Sequence, residues 1–160
     1  MTIISIHKQH LITVFHITVY RASHTTVTNC AVSPDGARIY VANAASKQLL
    51  TLFRDGQVIS TLTDPALDWG HVLYFKNYHP PGIHVTDSKQ VLVCGENSHT
   101  IIQVDKDGRQ TLAEVVAAKD GEDGVTCPSS VYYSKRTGTL IVGMWRIKDI
   151  IVFKAKLKTL

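Results

Sequence analysis

Short apolar runs alternate with polar turns along most of the chain, and this pattern occurs three times. The three copies cover residues 31–56, 84–108 and 131–156. In each copy an apolar run meets a polar turn, of which Ser33-Pro34-Asp35-Gly36 is the first example, and a run rich in β-favouring residues follows. Runs of this length, bounded by turn-forming residues, predict short antiparallel β-strands.

A small or polar loop and then a third run follow in every copy. In the first two copies an Asp-Gly turn leads into a predicted fourth strand, at 57–62 and at 109–115. The equivalent positions Ile39, Val91 and Leu140 are 52 and 49 residues apart. Repeats of about this length that hold four strands predict the blades of a β-propeller. The predicted fold class is therefore all-β: a partial β-propeller of about three four-stranded antiparallel blades, in an open rather than a closed ring.

The connections between the copies are longer than a strand connection needs, and residues 70–79 are interpreted as an insertion. Both long connections follow a fourth strand, which predicts that they lie on one face of the propeller. The predicted organisation is a lead-in or remnant strand at 1–24 and a partial propeller at 25–160, with blades at about 25–63, 81–116 and 127–160. Propeller rings close with about four to eight blades. Three blades leave open edges, through which we expect self-association.

Five segments resemble the NHL-repeat β-propeller of tripartite-motif proteins, the TRIM-NHL type, over residues 29–153. They are AVSPDGARIYVAN (31–43), FRDGQVISTLTDP (53–65), GIHVTDSKQVLVCG (82–95), HTIIQVDKDGR (99–109) and SVYYSKRTGTLIVG (130–143). In that family such propellers bind protein partners or single-stranded RNA. The resemblance therefore implies a binding module rather than an enzyme, with substrate recognition in ubiquitination as one role. Ligase activity is not implied, because Cys30, Cys94 and Cys127 are too scattered for the zinc modules that transfer ubiquitin.

The loops that join second and third strands are predicted to form the binding surface, on the same face as the long connections. The candidate residues are Asn43, Lys47, Asn97, His99, Trp145, Arg146 and Lys148. A protein partner is the first hypothesis for this surface. Single-stranded RNA is the alternative, because aromatic and basic side chains stack on bases and neutralise phosphates. In a third interpretation Trp145 instead fills a gap between blades.

Four aromatic residues in and beside the insertion are predicted to form an apolar cluster. This cluster has two interpretations. They are Trp69, Tyr74, Phe75 and Tyr78. The cluster is either a partner-binding tip or a segment that disturbs packing.

No catalytic residue, cofactor or metal site is predicted. The histidines at 7, 10, 16 and 24 match no known ligand spacing with Cys30, and neither G-x-S-x-G nor a phosphate-binding glycine motif occurs. Cys94 lies in the apolar run VLVCG, which predicts a buried, inert thiol. Asp35, Asp87 and Asp107 fall at turns, so a calcium-dependent, lactonase-like propeller is only a remote alternative.

Composition is that of one soluble globular domain, at 160 residues with 44% hydrophobic and 19% charged. The net charge of +4 is concentrated in residues 134–160, which hold seven basic residues and one acid. Lys154, Lys156 and Lys158 alternate with smaller or apolar residues, which predicts a terminal strand whose charged side blocks edge-to-edge pairing.

The location expected from the sequence is cytoplasmic. Three widely spaced cysteines without a C-x-x-C pair indicate reduced thiols. No signal peptide or membrane span is predicted from the first 20 residues.

Overall fold

The computed structural model describes residues 7–8, 11–12, 27–70, 80–116, 124–145 and 147–159, and all its regular elements are β-strands. The short strands β1 (His7–Lys8) and β2 (Leu11–Ile12) pair antiparallel. The rest of the predicted lead-in at 1–24 lies outside the described residues. No helix in the described ranges is long and apolar enough to cross a membrane.

The first large sheet is a four-stranded antiparallel meander. Its strands are β3 (Val27–Val32), β4 (Arg38–Asn43), β5 (Gln48–Phe53) and β6 (Val58–Thr63), in that order. The turn between β3 and β4 forms because the Asp35 carboxylate accepts hydrogen bonds from Ser33 Oγ (2.7 Å) and the Ala37 N–H (3.2 Å). Gly36 supplies the positive φ of +69° that the turn needs. The predicted role of Asp35 in turn chemistry is confirmed.

The second sheet repeats this order and lies between the other two. It contains β7 (Ile83–Val85), β8 (Val91–Gly95), β9 (Thr100–Val104) and β10 (Thr111–Val116). Every residue of β8 and β9 is buried. A sheet covered on both faces requires such continuous burial, and the apolar run VLVCG supplies it.

The third sheet has three strands in the described residues, where four were predicted. They are β11 (Pro128–Ser134), β12 (Thr139–Met144) and β13 (Ile150–Lys154), and β13 pairs with β12 alone. The prediction of an all-β chain with open antiparallel sheets is confirmed.

The chain after Lys154 returns to the second sheet instead of continuing as a strand. The Lys158 carbonyl accepts hydrogen bonds from the side-chain amides of Gln90 and Gln103, both at 2.8 Å, and the Lys158 N–H donates to Gln103 Oε1 (3.0 Å). Leu157 is buried between the second and third sheets. The predicted terminal strand is therefore wrong beyond Lys154, because buried amides draw the backbone away from the sheet edge.

Two apolar clusters show how the sheets stack. One holds the first sheet against the second and includes Tyr40, Leu49 and Ile102. The other holds the second sheet against the third and includes Leu92 and Leu140. Contacts between backbones are concentrated at the first strands, where β3 meets β7 and β11 meets β7 and β8. The sheets therefore stack face to face with their first strands close together.

Polar contacts add to the interface between the first and second sheets. Tyr40 Oη donates to the Lys106 carbonyl (2.7 Å), and burial raises the pKa of Tyr40 to about 12. Arg38 lies 3.2 Å from the Asp107 carboxylate. The Lys89 ammonium binds Asp35 at 2.6 Å, and this contact, with the hydrogen bond from Ser33, holds the pKa of Asp35 well below its usual value.

His84 is a half-buried titratable residue in the interface between the second and third sheets. Its Nε2 lies 3.3 Å from the Tyr133 carbonyl oxygen, and its ring centroid is 4.8 Å from that of Tyr132. Burial lowers the pKa of His84, and the hydrogen bond with the Tyr133 carbonyl and the negative charge of Asp87 only partly oppose this. The folded chain therefore holds the His84 proton less tightly than the unfolded chain does.

Acid is expected to destabilise the protein through His84. Above the ordinary histidine pKa both states carry a neutral ring, and the contribution is zero. As the pH falls below about 6.5, the unfolded state takes up the proton first, so the free energy of unfolding falls with a slope of at most about 1.4 kcal/mol per pH unit. Urea unfolding at several pH values, for the wild type and His84→Gln, measures this difference. A stability difference between the two proteins that is the same at every pH would contradict the prediction.

Candidate interaction face

One end of the stacked sheets collects the loops between second and third strands and the connections that follow fourth strands. In an antiparallel meander these segments must emerge at the same end. We call this end the connection face. In the described residues it comprises 44–47, 64–70, 96–99, 124–127, 145 and 147–149. The predicted site residues lie on or next to these segments, apart from Arg146, which lies outside the described residues.

Asp68 links the first two loops of the connection face. Its Oδ1 lies 2.8 Å from Lys47 Nζ, and its Oδ2 accepts a hydrogen bond of 2.8 Å from the Asn97 side-chain amide. The Asn97 N–H also donates to the Asp68 carbonyl (2.8 Å). Partial burial opposes ionisation of Asp68, but hydrogen bonds from Lys47, Asn97 and the Gly70 N–H outweigh it and lower its pKa. Lys47 and Asn97, which are 50 positions apart in the chain, are therefore fixed beside one another.

Cys127 links the second and third loops in the same way. Its N–H donates to His99 Nδ1 (2.9 Å), and its carbonyl accepts a hydrogen bond from the Trp145 N–H (2.9 Å). His99 and Lys47 are equivalent positions, because each ends a four-residue turn and each has a positive φ, of 57° and 51°. Each long connection thus holds the ends of two neighbouring sheets together.

Many solved structures are similar to this chain, and three bacterial proteins are among them. A protein of unknown function from Bacteroides caccae has a TM-score of 0.53 at 17% identity, over 75% of this chain and 39% of that one. Hydrazine synthase from Kuenenia stuttgartiensis has a TM-score of 0.56 at 18% identity, over 84% and 36%. A catalytically inactive virginiamycin B lyase from Staphylococcus aureus with quinupristin has a TM-score of 0.51 at 16% identity, over 82% and 42%.

Virginiamycin B lyase is a β-propeller-like protein, and the three sheets stack here as consecutive blades do. The chain has a β-propeller-like fold. It spans about two-fifths of the length of each of these structures. No protein-family model matches the sequence, and no curated protein matches it.

Two other residues predicted for the connection face, Asn43 and Lys148, differ in their exposure. Asn43 is only 6% exposed, because it ends β4 between its partners Val27 and Gln48. Its Oδ1 has no hydrogen-bond partner in the described residues. Asn43 is therefore a core residue rather than a surface contact. Lys148 is exposed.

Trp69 belongs to the core between the first two blades and not to an exposed aromatic tip. It is 3% exposed, and its Nε1 donates to the Cys94 carbonyl (2.7 Å). The interpretation of Trp69 as part of a partner-binding or packing-disturbing cluster is therefore wrong. Tyr74, Phe75 and Tyr78 lie outside the described residues.

The connection that carries Trp69 lies directly on the second blade. The Ala66 carbonyl accepts hydrogen bonds from Ser98 Oγ (2.7 Å) and Thr100 Oγ1 (3.3 Å). A Cβ atom added to Gly95 would lie 2.0 Å from the same carbonyl oxygen. Only glycine lets the two segments approach this closely.

The Cys94 thiol is fully buried, as the sequence predicts. Burial raises the pKa of Cys94 to about 12, so its thiol stays protonated and inaccessible. No group of three or more His, Cys, Asp or Glu side chains in the described ranges is arranged to hold a metal ion.

Sequence reasoning missed Asp68 and Cys127, the two residues that organise the connection face. Both lie in the long connections, which the sequence had placed at this end. The polar character of residues in these connections was therefore the available signal, but the sequence did not indicate their partners, which lie 18 to 29 residues away along the chain.

Proposed function

We propose that the connection face is a docking surface for a protein partner and that the chain is a non-enzymatic binding module. The observation that carries the proposal is the fixed arrangement of this face. Lys47 and Asn97 are held by Asp68, and His99 and Trp145 are held by Cys127. A surface that is already ordered loses less conformational freedom on binding, which favours affinity.

The charge of the face favours protein over RNA as the partner. Among its described residues, the ammonium groups of Lys47 and Lys148 are outnumbered by four carboxylates, those of Asp64, Asp68, Glu96 and Asp149. The Lys47 ammonium is already paired with Asp68. Binding of single-stranded nucleic acid requires a positive groove that neutralises phosphates. The acidic character of the connection face therefore disfavours single-stranded RNA, which remains the alternative for an experiment to test.

The resemblance to NHL repeats extends this proposal to a biological role. Propellers of that family recognise protein partners, and in tripartite-motif proteins such recognition selects substrates for ubiquitination. The five NHL-like segments between residues 31 and 143 are the support for this role, while the comparisons with known structures support the propeller-like fold. Two of those neighbours are enzymes by name, but at 18% identity or less the likeness concerns fold alone.

A charge reversal at the exposed Lys148 tests the face against a matched control. Lys135 is also exposed but lies in the β11–β12 turn, at the opposite end of the third blade. The partner is first captured with the wild-type chain, and its purified form is then titrated against both variants. We expect Lys148→Glu to weaken binding by about tenfold, the effect of a lost contact worth about 1.4 kcal/mol, and Lys135→Glu to leave it unchanged.

A second titration uses a random pool of single-stranded RNA. We expect no binding that depends on Lys148. The RNA hypothesis would replace the protein one if the pool bound, if its affinity fell by more than about tenfold between about 50 and 200 mM salt, and if Lys148→Glu abolished the binding. Equal partner binding by Lys148→Glu and Lys135→Glu would remove the connection face from the proposal.

A further inference from the structure

The outer edge of β13 is unpaired in the described residues. The first and second blades each end in a fourth strand, β6 and β10, whereas the third blade ends in β13. The Ala155 N–H donates to the Gly138 carbonyl (3.0 Å), which marks this pair as hydrogen-bonded. Because hydrogen-bonded pairs alternate along an antiparallel ladder, the backbone groups of Ile150, Val152 and Lys154 point away from β12. Among the residues that the structure describes, these three therefore have no backbone partner on the outer side of the edge.

A groove lies beside this edge, where the side chains of a fourth strand would pack. It has a volume of about 330 Å³ and runs between β10 and β13. Its walls include the apolar side chains of Val115 and Phe153. The strand itself exposes two more apolar residues, Ile150 at 67% and Val152 at 57%. Unpaired backbone and apolar surface thus occur together at one edge.

The charge at one end of the groove restricts what can pair with the edge. Lys154, Lys156 and Lys158 line it, against the single carboxylate of Glu114. Paired antiparallel about Val152, a second copy of β13 would place the uncharged Ile150 beside Lys154 and would leave the lysines without a carboxylate partner. An acidic strand would be attracted instead.

We propose that the β13 edge binds an extended peptide by strand addition, at a site distinct from the connection face. The fourth strands of the other two blades run antiparallel to their third strands. A peptide in the same direction would place its N-terminal end beside Lys154 and its C-terminal end beside Ile150. The partner is therefore a segment with acidic residues first and β-branched or apolar residues after them. Main-chain hydrogen bonds supply affinity in this mode, and the side-chain sites supply specificity.

The test uses the fluorescently labelled peptide EDEVTITV and the full chain. The matched controls are VTITVEDE, which has the same composition in the opposite order, and the basic peptide KRKVTITV. We expect EDEVTITV to bind at least about tenfold more tightly than either control, because only its acidic end meets the lysines in the antiparallel direction.

Two variants of the chain separate backbone pairing from charge. Val152→Pro removes an N–H that points to the free edge and leaves the β12 ladder intact, so it is expected to keep the melting temperature and to lose binding at least about tenfold. If Val152→Pro does not fold, Lys154→Glu with Lys156→Glu decides instead, and it is expected to reverse the preference in favour of the basic peptide.

Three binding results would overturn the proposal. They are equal binding of EDEVTITV and VTITVEDE, undiminished binding to a folded Val152→Pro chain, and absence of binding by every peptide. A dimer in light scattering that Val152→Pro dissociates would assign the edge to a second copy and would also overturn it. None of these outcomes depends on the connection face, which Lys148→Glu tests separately.

Discussion

Trp69→Ala is expected to lower the free energy of unfolding by about 3–5 kcal/mol, the range for removing a large aromatic side chain from a core. Trp69 is 3% exposed and packs between the first two blades, in the cluster that contains Tyr40 and Val91. Its hydrogen bond to the Cys94 carbonyl is lost as well. Domains of this kind are stable by about 5–15 kcal/mol, so the change removes a large share of the total. Urea unfolding followed by circular dichroism measures it.

The second tryptophan of the chain, Trp145, provides the matched control. It is only half-buried, so Trp145→Ala is expected to cost about half as much or less, since the cost scales with the apolar area removed from the core. Trp69→Phe retains most of the volume and should recover most of the stability. Similar losses for the two alanine variants would show that Trp69 does not anchor the blade interface.

Gly95→Ala is expected to destabilise the chain by about 3 kcal/mol, the upper end of the usual range for overpacking. The added Cβ would lie 2.0 Å from the Ala66 carbonyl oxygen and 2.1 Å from Ser98 Oγ. The hydroxyl can rotate away, but the carbonyl belongs to a connection that Trp69 anchors in the core. The strain therefore falls on the backbone. Thermal and urea unfolding both report the change.

Gly36→Ala separates steric conflict from the conformational freedom of glycine. Gly36 has a φ of +69°, and no atom lies within 4 Å of a Cβ built there. Its replacement should cost only about 1 kcal/mol, the conformational penalty alone. If Gly95→Ala costs no more than Gly36→Ala, the close approach of the connection to the second blade is not required for stability.

The strands could be predicted from the sequence because their causes are local. The predicted fourth strands at 57–62 and 109–115 correspond to β6 (Val58–Thr63) and β10 (Thr111–Val116). Alternation of side chains and the residues of each turn decide such elements within about ten positions. The stacking order of the blades then follows from the repeat.

The structure differs from the sequence-based predictions where residues far apart in the chain contact one another. Gln103 and Lys158 are 55 residues apart, and their hydrogen bonds end the predicted terminal strand early. Asp68 contacts Asn97 across 29 residues, and Trp69 contacts Cys94 across 25. No local pattern marks such pairs, so the polar organisation of the connection face and the burial of Trp69 became visible only in three dimensions.

The way the ladders are built bears on how such a chain changes over generations. Within the described ranges, each of the three large sheets is made from consecutive strands, and no ladder contains a strand of another sheet. Duplication or loss of one unit in a gene would therefore cut no ladder. Each remaining blade would then stack on an equivalent neighbour. The number of blades can therefore change by whole units while each blade keeps its own hydrogen bonds.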